Sequence, residues 1–373
     1  MSEPIRILQI VTSMEKGGIE NMLMNFYRKT DREKVQFDFL VHAPEKAEFE
    51  DEIEFLGGRV YRLPVQRSVK HFIGYLNALE DFFKGHREYK IIHCHMNALS
   101  LFPIYVAKKA GVPVRIAHSH VALQSNSYTS VFRRVCKRLL NICCTDRFAC
   151  GEKAGRYMFS DKYYEKGLVT VVNNGIDCNL FSFDEERRNE IREKYGFGDE
   201  LVIGHVGRFN EQKNHLFLID IFERIVNSGI NAKLLLLGEG TLFEEIQEKT
   251  WRLGLSDSVV FAGVVPDVYN YLNAVDVFVF PSVFEGLPLT LVEAQANGLK
   301  IFASDAVSSE SDLTGLVEFL PLSSGAESWA EIIKSRMPYQ RQDKIDLIKE
   351  AGYDSETSAK FLENFYLEKS KGY

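Results

Sequence analysis

The feature that most constrains this chain is a rhythm. Short, mainly apolar runs alternate with longer amphipathic stretches, and the pattern restarts halfway along. In the first half the runs are Ile5–Val11, Phe37–Val41, Val60–Leu63, Ile91–Cys94, Val112–Ala117, Arg147–Cys150 and Leu168–Val172. Stretches of helical spacing, among them Ile19–Arg28, Phe72–Phe83 and Ser100–Lys109, lie between them. A strand that is apolar on both faces must be covered on both faces. Alternation with helices supplies that cover through right-handed βαβ units, which build a parallel sheet.

The turn Asn173-Asn174-Gly175 closes the first series. A charged helix near Asp184–Tyr195 follows, and then a second series: Val202–Val206, Lys233–Leu237, Val259–Ala262, Val277–Phe280, Lys300–Ala303 and Val317–Leu320. Its predicted helices are Asn214–Asn227, Leu242–Leu253 and Leu289–Ala296. The fold class expected is α/β, with two Rossmann-like, doubly wound domains. The expected division is 1–178, joined by a closing helix over 355–373, and 179–354. In that closing helix Ala359, Leu362, Phe365 and Tyr366 share a face. Ligands in such sheets bind beyond the carboxyl ends of the strands, so a cleft between the domains is the expected site.

The chain's 373 residues exceed one ordinary core. No apolar run approaches the roughly 18 residues of a membrane span, and the start, MSEPIRILQIVTS, lacks the basic region of a signal peptide. The six cysteines lie in the first half without CxxC spacing, the pattern of reduced thiols in a cytoplasmic protein. Residues 1–180 hold 26 basic and 20 acidic side chains, the remainder 19 and 32. A basic first half suits an anionic partner such as a membrane surface or lipid phosphate, and equally suits ordinary surface variation. Nucleic acid is disfavoured, because no basic-aromatic module occurs and the net charge is −7.

Four motifs sit where apolar runs end. Glu285-Gly-Leu-Pro-Leu-Thr-Leu-Val-Glu293 follows Val277–Phe280, with Gly286 and Pro288 in a tight loop ahead of a helix. The unpartnered amides of a helix's first turn favour a phosphate. Thr290-x-x-Glu293 also reads as a capping box, which would explain Glu293 without any ligand. Gly204–His215 carries Arg208 and Lys213, two cations on one loop, suited to a diphosphate or simply solvated. Gly17-Gly18 follows the first run and permits close backbone approach, or is only a turn. Ile116-Ala-His-Ser-His120 puts His118 and His120 at the end of one buried strand, with His93 and His95 at the end of another. Each could be a hydrogen-bonded structural histidine or a cleft residue; no convincing further metal ligands accompany them.

These motifs together resemble the family 4 retaining glycosyltransferases, which have the GT-B fold of two facing Rossmann-like domains. The segment Glu285 to Glu293 matches that family's E-x7-E signature, and Arg208 with Lys213 its G-R-x4-K pair. The resemblance implies that Glu285 contacts the donor sugar and Glu293 the ribose. Gly286, Leu287, Leu289 and Thr290 would offer loop groups to sugar and phosphate. Arg208 and Lys213 would bind the diphosphate, with Gly17 and Gly18 facing it. Gly238 would line the nucleotide region and Val264 would meet the base. His118, with His120 as rival, would lie near the reaction centre. Glu285, His118, Arg208 and Lys213 form the expected catalytic group.

The implied reaction moves a hexose from a UDP-sugar to a carbohydrate or lipid-linked saccharide acceptor, as in exopolysaccharide, capsule or lipopolysaccharide synthesis. No cofactor and no metal are expected, since no D-x-D motif occurs. A cytoplasmic location is expected, with peripheral contact at the inner face of the plasma membrane through the N-terminal domain. A GT-B epimerase or phosphorylase, and a non-catalytic nucleotide-binding partner subunit, remain alternatives. The loop Ser304–Glu310 departs from the glycine pair many relatives carry there.

Overall fold

A computed structural model describes residues 3–15, 17–63, 69–120, 129–285 and 287–372. The chain forms two compact units, Met1–Gly175 with Ser355–Tyr373, and Ile176–Asp354.

The first unit holds seven parallel strands: β1 (Ile5–Ile10), β2 (Val35–Val41), β3 (Val60–Arg62), β4 (Ile91–Cys94), β5 (Val114–Ser119), β6 (Asp146–Ala149) and β7 (Thr170–Val171). Their spatial order is β3-β2-β1-β4-β5-β6-β7. The order reverses between β1 and β4, so a crevice opens at their carboxyl ends. Every residue of β2 is buried, as a central strand covered on both faces requires. Its one buried acid is fully partnered. Asp38 accepts two hydrogen bonds from Arg6, both 2.5 Å, one from the Tyr89 hydroxyl and one from the Arg59 amide. The helix Ser355–Ser370 lays Ala359, Leu362 and Tyr366 on the face built by Ile7, Ile91, Ile116 and Phe148.

The second unit repeats the winding with six parallel strands: β8 (Leu201–Val206), β9 (Ala232–Leu237), β10 (Val259–Gly263), β11 (Val277–Phe280), β12 (Lys300–Ser304) and β13 (Val317–Leu320). The order β10-β9-β8-β11-β12-β13 reverses between β8 and β11. Gly204 in β8 is a packing requirement, because a Cβ there would lie 2.4 Å from the Val275 side chain. The amino edge is locked by Asp276, which takes Arg188 at 2.6 Å and Arg192 at 3.3 Å.

Some boundaries differ from the sequence expectation. Strand β5 runs two residues later, through His118 to Ser119, because its ladder to β6 pairs His118 with Phe148 and Ser119 with Ala149. A seven-residue helix, Val268–Ala274, links β10 and β11; two turns are too few to show a helical period. All six cysteines are free. Among the described residues no helix is long and apolar enough to cross a membrane.

Candidate functional site

In the second unit the loops after β8 and β11 are stitched together. The Val283 amide donates to the Gln212 carbonyl at 2.8 Å, the Gln212 side chain to the Phe284 carbonyl at 3.1 Å, and the Asn214 side chain to the Pro281 carbonyl at 3.1 Å. This zipper brings Lys213 and Glu285 into an ion pair of 2.7 Å at the switch point of the sheet, with both side chains largely shielded from water. The Lys213 ammonium also lies 4.4 Å from the centre of the Phe280 ring. Arg208 is different. It is exposed, and its guanidinium has no hydrogen-bond or ion-pair partner among the described residues. One cation is thus held and one is free.

The neighbouring loop leaves no room for side chains. Gly238 has φ +132°, and a Cβ on it would lie 2.1 Å from the Gly207 carbonyl oxygen. A Cβ on Gly240 would meet the Phe209 carbonyl at 2.3 Å. Backbone bonds from Phe209 to Glu239 (2.8 Å) and from Gly238 to Gly263 (2.8 Å) tie the loops after β8, β9 and β10 into one surface. Val264 stands on it, 63% exposed.

Gly286 lies outside the described residues. Leu287, Leu289 and Thr290 are partly exposed beside it. The capping-box expectation fails. The helix runs Leu289–Ala296 with Pro288 as its N-cap and no side-chain cap. Proline has no amide hydrogen and its fixed φ suits this junction, so the helix begins one residue before Thr290 and Thr290 sits inside it. Glu293 therefore does not reach back to a cap. It is partly buried, without a side-chain partner among the described residues, and burial pushes its carboxyl up to about 7. The Ser304–Glu310 loop braces Glu285, through a bridge to Val307 and a bond from the Ser308 amide to the Glu285 carbonyl at 3.3 Å.

Beneath the cation loop lie two histidines that sequence reasoning passed over. His205 shares a 2.8 Å bond with the Val279 carbonyl. His215 is pushed down to about 4, by burial and then by Lys213. Both rings are neutral packing for the loop. Their motif neighbours Arg208 and Lys213 drew attention away from them, although their place at a strand's core and a helix's start was readable.

The first unit holds a second polar cluster. His93 on β4 and His95 just past its end, and His118 on β5 and His120 just past its end, are two residues apart in each pair and so share one face at the ends of adjacent strands. His93 Nε2 pairs with His118 Nδ1 at 3.1 Å, and His95 Nδ1 with His120 Nε2 at 2.9 Å. The outer nitrogens are anchored: His93 Nδ1 to the Tyr366 hydroxyl at 2.7 Å, His95 Nε2 to Gln9 Oε1 at 2.9 Å. His118 Nε2 and His120 Nδ1 are buried and without a partner among the described residues. Burial, and then the neighbouring rings, hold His93, His95 and His118 well below the ordinary imidazole value, and burial pushes His120 down to about 3. The four rings are neutral near pH 7, so they can donate or accept hydrogen bonds but cannot balance a phosphate's charge.

One nitrogen each from His93, His95 and His118 lies within 4.8 Å of the others. A metal there would displace the paired hydrogen bonds and bury a dication in a group that no carboxylate joins among the described residues. Tyr366 and Gln9 were not foreseen as partners of the histidines. Gln9 pairs in register with His93 across β1 and β4, which strand order alone reveals.

Gly17 is the N-cap of the helix Gly18–Lys29. A Cβ on Gly18 would meet nothing within 4 Å, so packing inside the chain does not require glycine there.

The model of glycosyl transferases group 1 matches residues 187–335, and that of glycosyltransferase family 4 matches residues 16–180. A putative glycosyltransferase of Bacillus subtilis, EpsF, is 36% identical over 370 residues, which is 97% of this chain and 96% of the relative. An Escherichia coli galactosyltransferase that acts from UDP-Gal on α-D-GlcNAc-diphosphoundecaprenol is 28% identical over 228 residues, 58% of each chain. Anabaena HepE, solved with UDP-glucose, superposes with a TM-score of 0.76 at 21% identity over 97% of this chain and 99% of that one.

Proposed function

From the premise that this chain belongs to the family 4 glycosyltransferases, we propose that it transfers a hexose from a UDP-sugar to an acceptor hydroxyl with retention of anomeric configuration. The observation that carries the reading is the Lys213–Glu285 pair at 2.7 Å, set at the switch point of the second sheet with the free guanidinium of Arg208 on the same loop. A diphosphate carries negative charge that both cations of this loop can meet. Arg208 would take phosphate oxygens through its fork and Lys213 as a point charge. They would stabilise the departing UDP by charges already in place, with no metal needed. Glu285 would orient the sugar's hydroxyls and hold Lys213 at the correct height. Glu293, ionised, would accept from the ribose hydroxyls, and Val264 would meet the base.

On the family resemblance alone, the neutral His118 would hydrogen-bond the sugar. The leaving diphosphate itself would take the acceptor's proton as the glycosidic bond breaks, so no second carboxylate is needed as a base. The similarity to the E. coli galactosyltransferase, which acts on α-D-GlcNAc-diphosphoundecaprenol, supports a saccharide carried on a lipid diphosphate as acceptor. Such an acceptor would bring the first unit to a membrane surface from the cytoplasmic side.

The test is UDP release from a panel of UDP-sugars, with and without lipid-linked acceptors. Wild type should release UDP in an acceptor-dependent way, and Glu285→Ala should bind UDP within a few fold of wild type yet turn over at least a hundredfold more slowly. Turnover by Glu285→Ala at the wild-type rate would remove Glu285 from the mechanism. Acceptor-independent interconversion of the sugar would point to an epimerase.

A further inference from the structure

The helix Thr129–Cys143 has more apolar surface than the core uses. Cys136, Leu140 and Cys143 point inward and are buried. That is the one face a surface helix needs. Yet Val131, Val135, Leu139 and Ile142 form a second apolar stripe at helical spacing, about 100° around from the first by the geometry of the α-helix, and it faces water. Val131 is 64% exposed and Ile142 66%. Phe132, 55% exposed, widens the stripe and stacks on Phe102 of the preceding helix, Leu101–Lys109, at 6.3 Å between ring centres.

The chain segment that carries the stripe holds charge of one sign. Residues 89–145 contain eight Lys and Arg and no Asp or Glu. Arg134 and Arg138 border the stripe on one side, exposed and without ion-pair partners among the described residues. Lys137 is pushed down to about 8, by burial first and then by Arg133 and Arg134.

We propose that this face docks on an anionic lipid bilayer, with Val131, Val135, Leu139 and Ile142 entering the headgroup boundary and Arg134 and Arg138 lying among lipid phosphates. The proposal rests on the donor reading only in that a lipid-linked acceptor gives the docking a purpose. An apolar stripe flanked by cations is the arrangement of a helix lying in an interface. A second copy of the chain fits poorly, because stacking the stripe on itself would bring Arg134 and Arg138 of two copies together with no acid on either helix.

The experiment is co-sedimentation of the full chain with phosphatidylcholine vesicles, with and without phosphatidylglycerol, alongside UDP-glucose affinity measured on the same preparations. Wild type should bind only the vesicles containing phosphatidylglycerol, and less at high salt. Arg134→Gln with Arg138→Gln should weaken binding about thirtyfold, from two lost charges at an anionic surface. Leu139→Ser with Ile142→Ser should abolish it at any salt, and both variants should keep wild-type UDP-glucose affinity. Equal binding to neutral vesicles, undiminished binding by both variants, or a dimer that the serine variant dissociates would overturn the proposal. Vesicle binding without UDP-glucose binding would instead sink the donor reading and leave this one standing.

Discussion

Glu293 gives the sharpest numerical expectation. Burial pushes its carboxyl from 4.5 up to about 7. Between those two values the folded chain holds a proton that the unfolded chain has released. The stability contributed by this proton is therefore complete below about pH 4.5, and it is lost as pH rises through 7. Above that, the folded state carries a constant penalty of about 3 kcal/mol, from a shift of about two and a half pKa units at 1.36 kcal/mol each. Glu293→Gln keeps the shape and removes the charge. It should leave stability at pH 5 nearly unchanged and raise it by roughly 2–3 kcal/mol at pH 8.

Donor binding should move the other way. If the ionised carboxylate holds the ribose, UDP-glucose affinity should be about tenfold weaker at pH 6 than at pH 8, since most Glu293 is protonated at the lower value. Both phosphates of UDP-glucose are diesters, so neither has the second ionisation near about pH 6 of a terminal phosphate. The assay is guanidinium unfolding and calorimetric titration of wild type and Glu293→Gln at both pH values. Parallel stability profiles for the two proteins, with a donor affinity that does not change with pH in either, would refute the reasoning.

Lys213→Ala should fold and lose transfer by a factor of about 10²–10³, as expected when one preorganised charge at a developing anion is removed; initial rates of UDP release measure it. Gly238→Ala combines φ +132° with a 2.1 Å approach to the Gly207 carbonyl, so it should cost more than about 2 kcal/mol and weaken UDP binding, read by thermal unfolding with and without UDP. Tyr366→Phe removes the hydroxyl that meets His93 Nδ1 at 2.7 Å, and the orphaned buried nitrogen should lower unfolding free energy by about 1–3 kcal/mol in urea titration.

The strands were legible because both their faces are buried. Runs such as Phe37–Val41 and Val277–Phe280 carry that condition in their composition, and the observed strands match them closely. The position of Lys213 against Glu285 was legible only in part. Each lies on a loop at a strand's end, but 72 residues separate them, and only the order β9-β8-β11 makes those loops neighbours. The same holds for Tyr366, which reaches His93 from 273 residues away.

The helix start at Leu289 was legible, but the cap was not: Thr290-x-x-Glu293 carries the letters of a capping box, while Pro288 takes the cap position by backbone geometry alone. On Thr129–Cys143 the interleaving of Val131, Phe132, Val135, Leu139 and Leu140 with Arg133, Arg134, Lys137 and Arg138 was legible, and it suits a membrane face or a helix with one buried face equally. Periodicity reports that residues are apolar, but which apolar face meets the core depends on the helix's neighbours.

The central claim is that the loop after β8 binds the donor's diphosphate. Calorimetric titration of UDP into wild type and Arg208→Ala tests it most directly, since Arg208 is exposed and unpartnered, and its loss leaves the fold's own contacts intact. UDP should bind wild type, and Arg208→Ala should weaken that binding by about 1.5–3 kcal/mol, roughly ten- to a hundredfold or more. UDP affinity equal in the two proteins would contradict it.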